Sequence, residues 1–306
     1  MRFISLGKSG LTVPAVAVGC MRINNLSDKE AEGFVNAAME LGCNFFDHAD
    51  IYGGGECEKI FAEAIHMCPS VRDKIILQSK CGIRSGMYDF SKEYILSSVD
   101  KILSRLKTDY LDVLVLHRPD ALMEPEEVAE AFDTLQAAGK VCHFGVSNHN
   151  PSQMALLQKY IRQPLVTDQL QFSIPNSSMI QSGLEVNMNT GGAVDRDGSV
   201  LDYCRLNDIT IQTWSPFQYG FFEGVFLNNR EKYPELNDVL DELAERYDVT
   251  NTTVAAAWIL RHPAKMQLVA GTTKASRLAE ICRAADLTLT REEWYRLYLA
   301  AGHILP

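Results

Sequence analysis

The sequence predicts an α/β chain: a closed (β/α)8 TIM barrel entered through an N-terminal β-hairpin and finished by an extra C-terminal helix, with residues 1–306 as one domain. Three observations predict it. Short runs rich in β-branched residues alternate about eight times with segments of helical periodicity. Those runs are apolar throughout, so both sheet faces need cover. At 306 residues and 46% hydrophobic, the chain is long enough for an α/β barrel built as one domain. An open doubly wound sheet is the alternative, but no G-x-G-x-x-G follows the first apolar strand.

Residues 2–5 and 11–14 flank the turn Gly7-Lys8-Ser9-Gly10 and read as the hairpin. Ala15 to Gly19 is the first barrel strand. Ser27-Asp28-Lys29-Glu30 is a capping box, opening a helix with Phe34, Val35, Ala38 and Met39 on one face and Gly42 at its end. A strand then runs to Asp47, and a helix from Glu56 to His66. The third strand, Ile75 to Ser79, ends at Lys80. Ser91 caps a helix carrying Ile95, Leu96, Val99, Ile102, Leu103 and Leu106 at helical spacing. Leu111 to Leu116 ends at His117, and a helix follows from Pro125 to Gly139. Val141 to Val146 ends at Ser147-Asn148, with a helix from Pro151 to Tyr160. The sixth strand is Leu165 to Gln169. A polar excursion over 172–199 and a short helix near 199–206 precede the seventh, Ile209 to Trp214. Helices over 235–247 and 252–261, a strand from Met266 to Ala270 and a helix from Lys274 to Ala285 close the barrel. Thr290-Arg291-Glu292-Glu293 is a capping box that opens the terminal helix.

Composition excludes several functions. The net charge is −10 without a long Lys/Arg run, which argues against nucleic acid and anionic membrane surfaces as partners. No apolar stretch reaches membrane-spanning length, and Met1 to Leu6 breaks at Gly7, too early for a secretory segment. The eight cysteines form no C-x-x-C pair and no zinc-like Cys/His spacing. Reduced thiols, a cytoplasmic location, a monomer and no bound metal are the expectations. Cys81 follows Lys80, but reads as a buried, inert thiol. Trp258 and Trp294 read as packing residues. Asp195 to Gly198 resembles part of a calcium loop without the remaining ligands.

Barrel enzymes assemble their sites at the carboxyl ends of the strands. Here those ends carry Asp47, Lys80, His117, Ser147-Asn148, Gln169 and Trp214-Ser215, and Tyr52 lies just past Asp47. Each has an ordinary reading: Asp47 as a turn residue, Lys80 as a solvated strand end, His117 as a loop histidine. Together they suggest proton transfer. A phenol is a weak acid at neutral pH; an adjacent Lys80 ammonium would lower its pKa, and Asp47 would hold the lysine charged. Tyr52 could then protonate a carbonyl oxygen that His117 orients. That describes carbonyl reduction, and the hydride it needs implies a nicotinamide cofactor. Gly53-Gly54-Gly55 lacks a following G-K-[ST] and reads as the turn that presents Tyr52.

These residues resemble the catalytic tetrad of the aldo-keto reductases: Asp47 and Tyr52 in F-D-H-A-D-I-Y-G, Lys80 in Q-S-K-C-G, His117 in L-H-R-P-D. The resemblance continues through G-K-V-C-H-F-G-V-S-N, D-Q-L-Q, W-S-P-F and A-G-T-T-K-A-S-R, over nearly the whole chain, most like the bacterial oxidoreductases of the family. It implies NADPH bound in extended form without a Rossmann domain. Ser147, Asn148 and Gln169 match the nicotinamide carboxamide contacts. Trp214 stands where the family usually stacks a tyrosine on the ring. Ser215 and Pro216 match the pyrophosphate segment, and Met21 and Arg22 lie where the family lines the cofactor cleft. Gly271, Thr272, Thr273, Lys274 and Arg277 match the 2′-phosphate site, favouring NADPH over NADH, and a helix start with basic side chains suits an anion. Glu280 matches an adenine contact, although Ile281 replaces a common Asn.

The expected activity is NADPH-dependent reduction of small aldehydes or ketones to alcohols. A cofactor-sensing regulatory subunit is the alternative, since potassium-channel β subunits resemble this family and keep the tetrad; no basic or apolar docking segment precedes the barrel here. A glycosidase using paired carboxylates lacks a second acid at another strand end. Selectivity is assigned to the loops over 172–199 and 217–234 and to the tail over 302–306, which is too short for a large lid and implies an open pocket.

Overall fold

The computed structural model describes residues 1–305; Pro306, last in the tail, lies outside them. Strands β1 (Phe3–Ser5) and β2 (Thr12–Pro14) pair antiparallel as the expected hairpin. The chain then runs β3 (Val16–Gly19), α1 (Asp28–Glu40), β4 (Phe45–Asp47), α2 (Glu56–Ala64), α3 (Pro69–Arg72) and β5 (Ile76–Cys81). A small hairpin follows, β6 (Ile83–Arg84) with β7 (Met87–Tyr88), then α4 (Lys92–Leu106), β8 (Leu111–Leu116), α5 (Pro125–Ala137), β9 (Val141–Ser147), α6 (Pro151–Tyr160) and β10 (Leu165–Gln171). The last part comprises α7 (Ser178–Leu184), α8 (Val200–Asn207), β11 (Thr210–Trp214), α9 (Pro234–Tyr247), α10 (Asn251–Leu260), β12 (Gln267–Ala270), α11 (Ala275–Arg283) and α12 (Arg291–Ala300).

Eight of these strands close a parallel barrel in the order β3-β4-β5-β8-β9-β10-β11-β12, with β12 returning to β3. Every pair in it is parallel, so each strand's carboxyl end opens onto the same face. Both capping boxes form: Glu30 accepts from the Ser27 amide and Glu293 from the Thr290 amide. The strands are buried on both sides, as continuous apolar runs require. Trp258 and Trp294 stack 4.7 Å apart, and each indole N–H donates to the other's backbone carbonyl. They tie α10 to α12, so the terminal helix is part of the packing.

The sequence missed three local features. Pro69–Arg72 forms a turn of helix whose Arg72 pairs with Asp112 at 2.7 Å. The second is the hairpin β6–β7, whose Ile83 and Tyr88 line the cleft at the barrel's carboxyl face. The third lies in the 172–199 excursion, where Ser178–Leu184 is helical. That excursion is anchored by the tail: His303 bonds the Ile174 carbonyl at 2.8 Å and the Ser177 hydroxyl at 3.0 Å. It therefore folds against the chain's own end. Asp195, the calcium-like acid, caps the backbone amides of Asp197, Gly198 and Ser199 instead. No described helix is long and apolar enough to cross a membrane.

Candidate active site

A cleft of about 1160 Å³ opens at the carboxyl face of the barrel. Of the residues singled out in the sequence, Met21, Arg22, Asp47, Tyr52, His117, Ser147, Asn148, Gln169, Trp214, Ser215, Pro216, Gly271, Thr272, Thr273, Lys274, Arg277 and Glu280 all line it. Lys80 does not, because it is fully buried behind Tyr52.

The register explains the inner end. Asp47 ends β4 opposite Gln78 of β5, which puts Lys80 two residues further along on the same side of the sheet. The Lys80 ammonium donates to Asp47 Oδ2 at 2.8 Å, to the His48 carbonyl at 2.8 Å and to the Tyr52 hydroxyl at 3.2 Å. An ammonium has three N–H bonds, and all three are used. The Tyr52 oxygen thus accepts, which leaves its own O–H to donate elsewhere. Tyr52 reaches this position because Gly53, Gly54 and Gly55 all take positive φ, turning the chain sharply from β4 into α2.

Burial disfavours the charged lysine, but Asp47 and then Tyr52 outweigh it, and its pKa lies above the ordinary value. Tyr52 departs from the sequence expectation. Its pKa is raised, because burial outweighs the opposing pull of Lys80. The phenol therefore holds its proton at neutral pH. His117 sits edge-on to Tyr52 with ring centroids 5.9 Å apart. Burial, then the charges of Lys80 and Arg118, push its pKa well down, so the imidazole is neutral. Cys81 is buried, and burial pushes its thiol pKa well up.

Beneath the site lies a polar layer that the sequence reading overlooked. Gln78 donates to Asp47 Oδ1 at 2.7 Å and to Gln212 at 2.8 Å; Gln212 donates to Gln267 at 2.8 Å, and Gln267 to the Pro14 carbonyl at 2.8 Å. Behind Lys80, buried Glu58 accepts from Ser79 at 2.7 Å and Arg105 at 2.6 Å. The available signal was polar side chains inside otherwise apolar strands, which need partners wherever they are buried.

Ser147 donates to the Gln169 carbonyl, Asn148 donates to Ser147, and the Trp214 indole donates to Asn148 at 3.2 Å. Asn148 and Ser215 both hold positive φ just past their strands, a conformation that side-chain-bearing residues adopt at a cost. At the outer end, Arg22 donates to the Gly271 carbonyl at 2.9 Å, joining the loops after β3 and β12. Lys274 and Arg277 are exposed, and neither side chain has an ion-pair partner among the described residues. Lys274 sits at the N-cap of α11, whose first amides no side chain caps. Two cations beside uncapped amides make a donor set suited to a phosphate.

The walls correct one expectation about selectivity. The loop over 217–234 supplies Phe217, Phe221, Phe222 and Val225, but nothing from 172–199 or from the described tail lines the cleft. The place assigned to the 172–199 loop is taken by Ile83 and Tyr88 of the β6–β7 hairpin and by Ile51.

Residues 15–299 match the Aldo/keto reductase family. The chain is 35% identical over 302 residues to the uncharacterized oxidoreductase YcsN of Bacillus subtilis, covering 94% of each. It is 33% identical to a 6-dehydroglucose reductase of Novosphingobium aromaticivorans, covering 99% of this chain and 97% of that one. The crystal structure of the thermostable aldo-keto reductase Tm1743 with the inhibitor epalrestat shares the fold, with TM-score 0.77 at 24% identity over 98% of this chain and 100% of the other. The barrel, the family match and these relatives together mark the chain as an oxidoreductase. The chain belongs to the aldo/keto reductase family, whose chemistry is carbonyl reduction.

Proposed function

We propose that this protein reduces aldehyde or ketone carbonyls to alcohols with NADPH, with Tyr52 as the general acid and Lys80, Asp47 and His117 supporting it. The observation that carries the reading is the Asp47–Lys80–Tyr52 chain, which meets His117 at one end of a cleft bearing Lys274 and Arg277 at the other. NADPH, when bound, would supply the hydride, two electrons and a hydrogen delivered to the carbonyl carbon.

The side chains supply the rest. Tyr52 enters protonated, with its oxygen accepting from Lys80, so its O–H is available to the substrate oxygen. As charge builds on that oxygen, the proton passes from Tyr52, and the Lys80 ammonium stabilises the phenolate left behind. A neutral His117 can donate one N–H to the same oxygen and fix its direction. Asp47 keeps the ammonium charged in surroundings that would otherwise neutralise it. Ser147, Asn148 and Gln169 suit a carboxamide, Trp214 offers an aromatic face beside them, and Met21, Arg22, Ser215 and Pro216 line the path between. Gly271, Thr272, Thr273, Lys274 and Arg277 suit the 2′-phosphate, with Glu280 near the adenine.

The test is Tyr52→Phe. Turnover of aldehydes, followed by NADPH absorbance, is expected to fall roughly 100- to 10,000-fold. NADPH affinity, measured by fluorescence titration, is expected to stay close to wild type. Wild-type turnover in this variant would remove Tyr52 as the acid.

A further inference from the structure

Besides the exposed Lys274 and Arg277 at the outer end, one cationic side chain on the cleft wall has no hydrogen-bond or ion-pair partner among the described residues. Arg118 follows His117 at the end of β8 and is half-buried in the cavity lining. Among the described residues its guanidinium makes no hydrogen bond or ion pair. Its neighbours are aromatic: the guanidinium carbon lies 5.8 Å from the Trp214 ring centre and 5.5 Å from that of Phe221. The rest of this half is apolar or aromatic, with Ile51, Ile83 and Tyr88. The acids lining the cleft are Asp47, committed to Lys80, and Glu280, bonded to Thr250.

Half-buried Arg22 and Arg261 donate to backbone carbonyls, and two further arginines packed against the interior have acids. Arg72 pairs with Asp112 at 2.7 Å, and Arg105 with Glu58 at 2.6 Å. A guanidinium removed from water needs an anion, and one held by ring faces keeps its planar N–H groups for a carboxylate or phosphate. Arg118 lies beside the proposed carbonyl site, near enough that its charge helps to keep His117 neutral.

We propose that Arg118 is a specificity-determining residue and that this enzyme's substrates are carbonyl compounds carrying a carboxylate or phosphate, which Arg118 binds while the carbonyl oxygen meets Tyr52 and His117. The proposal rests on the reductase reading, and it adds the substrate class. The apolar wall formed by Ile51, Ile83 and Tyr88 would cover the carbon skeleton between the two polar ends.

The experiment compares wild type with Arg118→Met and Arg118→Lys. Reduction of 4-carboxybenzaldehyde is measured against benzaldehyde, and of glyceraldehyde 3-phosphate against glyceraldehyde. The anionic-to-neutral ratio of kcat/KM is expected to fall on the order of tenfold to a hundredfold in Arg118→Met, through KM, with partial recovery in Arg118→Lys. The pair with the larger fall tells carboxylate from phosphate. An unchanged ratio in both pairs overturns the proposal. So does weaker NADPH binding with an unchanged ratio, which would put Arg118 on the cofactor's side. Calorimetric titration with 4-(hydroxymethyl)benzoate, without any nicotinamide, separates this proposal from the reductase reading. Arg118-dependent binding without turnover of any carbonyl would support the anion site and sink the reductase reading. Turnover without an Arg118-dependent anion preference would do the reverse.

Discussion

The two ends of the cleft use lysine in opposite ways. Lys80, at the inner end, is fully buried and has a carboxylate, a carbonyl and a phenol on its three N–H bonds. Lys274, at the outer end, is exposed and unpaired, as is Arg277. A buried charge is tolerated only when paired, whereas an exposed one stays solvated at little cost. The inner end is thus built to hold one arrangement whether or not a ligand is present. The outer end is built to gain partners.

The largest expected effect comes from breaking the inner pair. Asp47→Leu leaves a buried ammonium without its carboxylate and should cost about 3–5 kcal/mol. Lys274→Ala should stay within about 0.5 kcal/mol. Urea denaturation of both variants measures the contrast. Asp47→Leu combined with Lys80→Met should lie well above the sum of the two single changes, because the second replacement removes the stranded charge. Additive losses would show that the pair is not the unit that matters.

The next effect belongs to the outer end. Arg277→Ala is expected to weaken NADPH by roughly tenfold to a hundredfold, the scale of a charge-assisted hydrogen bond. NADH affinity should hardly move, since NADH lacks the 2′-phosphate, and the melting temperature should stay near wild type. Equal losses for both nucleotides would place Arg277 at a different part of the cofactor.

These two ends were not equally legible in the sequence. The barrel was, because strands buried on both faces leave unbroken apolar runs and the helices between them carry clear caps, as at Ser27, Ser91 and Thr290. The strand-end residues were legible too, since Asp47, Lys80 and His117 each interrupt an apolar run. What escaped were contacts between residues far apart in the chain. Gln78, Gln212 and Gln267 looked like single polar residues in three strands, and only barrel closure makes them one hydrogen-bonded layer. The direction of the Tyr52 shift escaped for a similar reason. The opposing cation was visible in the sequence, but the depth of burial that outweighs it was not. The long 172–199 loop looked functional by its length, yet His303 draws it towards the tail and away from the cleft.

The last of these effects concerns a buried carboxyl with no cation at all. Asp168 precedes Gln169 on β10, so it faces the helices while Gln169 faces the cleft. It is fully buried, and neither carboxyl oxygen has a hydrogen-bond partner. Burial pushes its pKa from 3.8 up to about 8, while the nearby amides of His149 and Asn148 pull weakly the other way. Asp47 and Asp168 are thus both buried acids, one held beside an ammonium and the other left to keep its proton. Below pH 4 both the folded and the unfolded chain hold the Asp168 proton. Between about 4 and 8 only the folded chain does, so this contribution to stability is full at the acid end and is lost as pH rises through about 8. Asp168→Asn removes that dependence while keeping the shape. The variant should lose less melting temperature than wild type between pH 5 and pH 9, with most of the difference between pH 5 and pH 8. Identical slopes in the two proteins would mean that Asp168 is ionised in the fold, and that a cation or water reaches it after all.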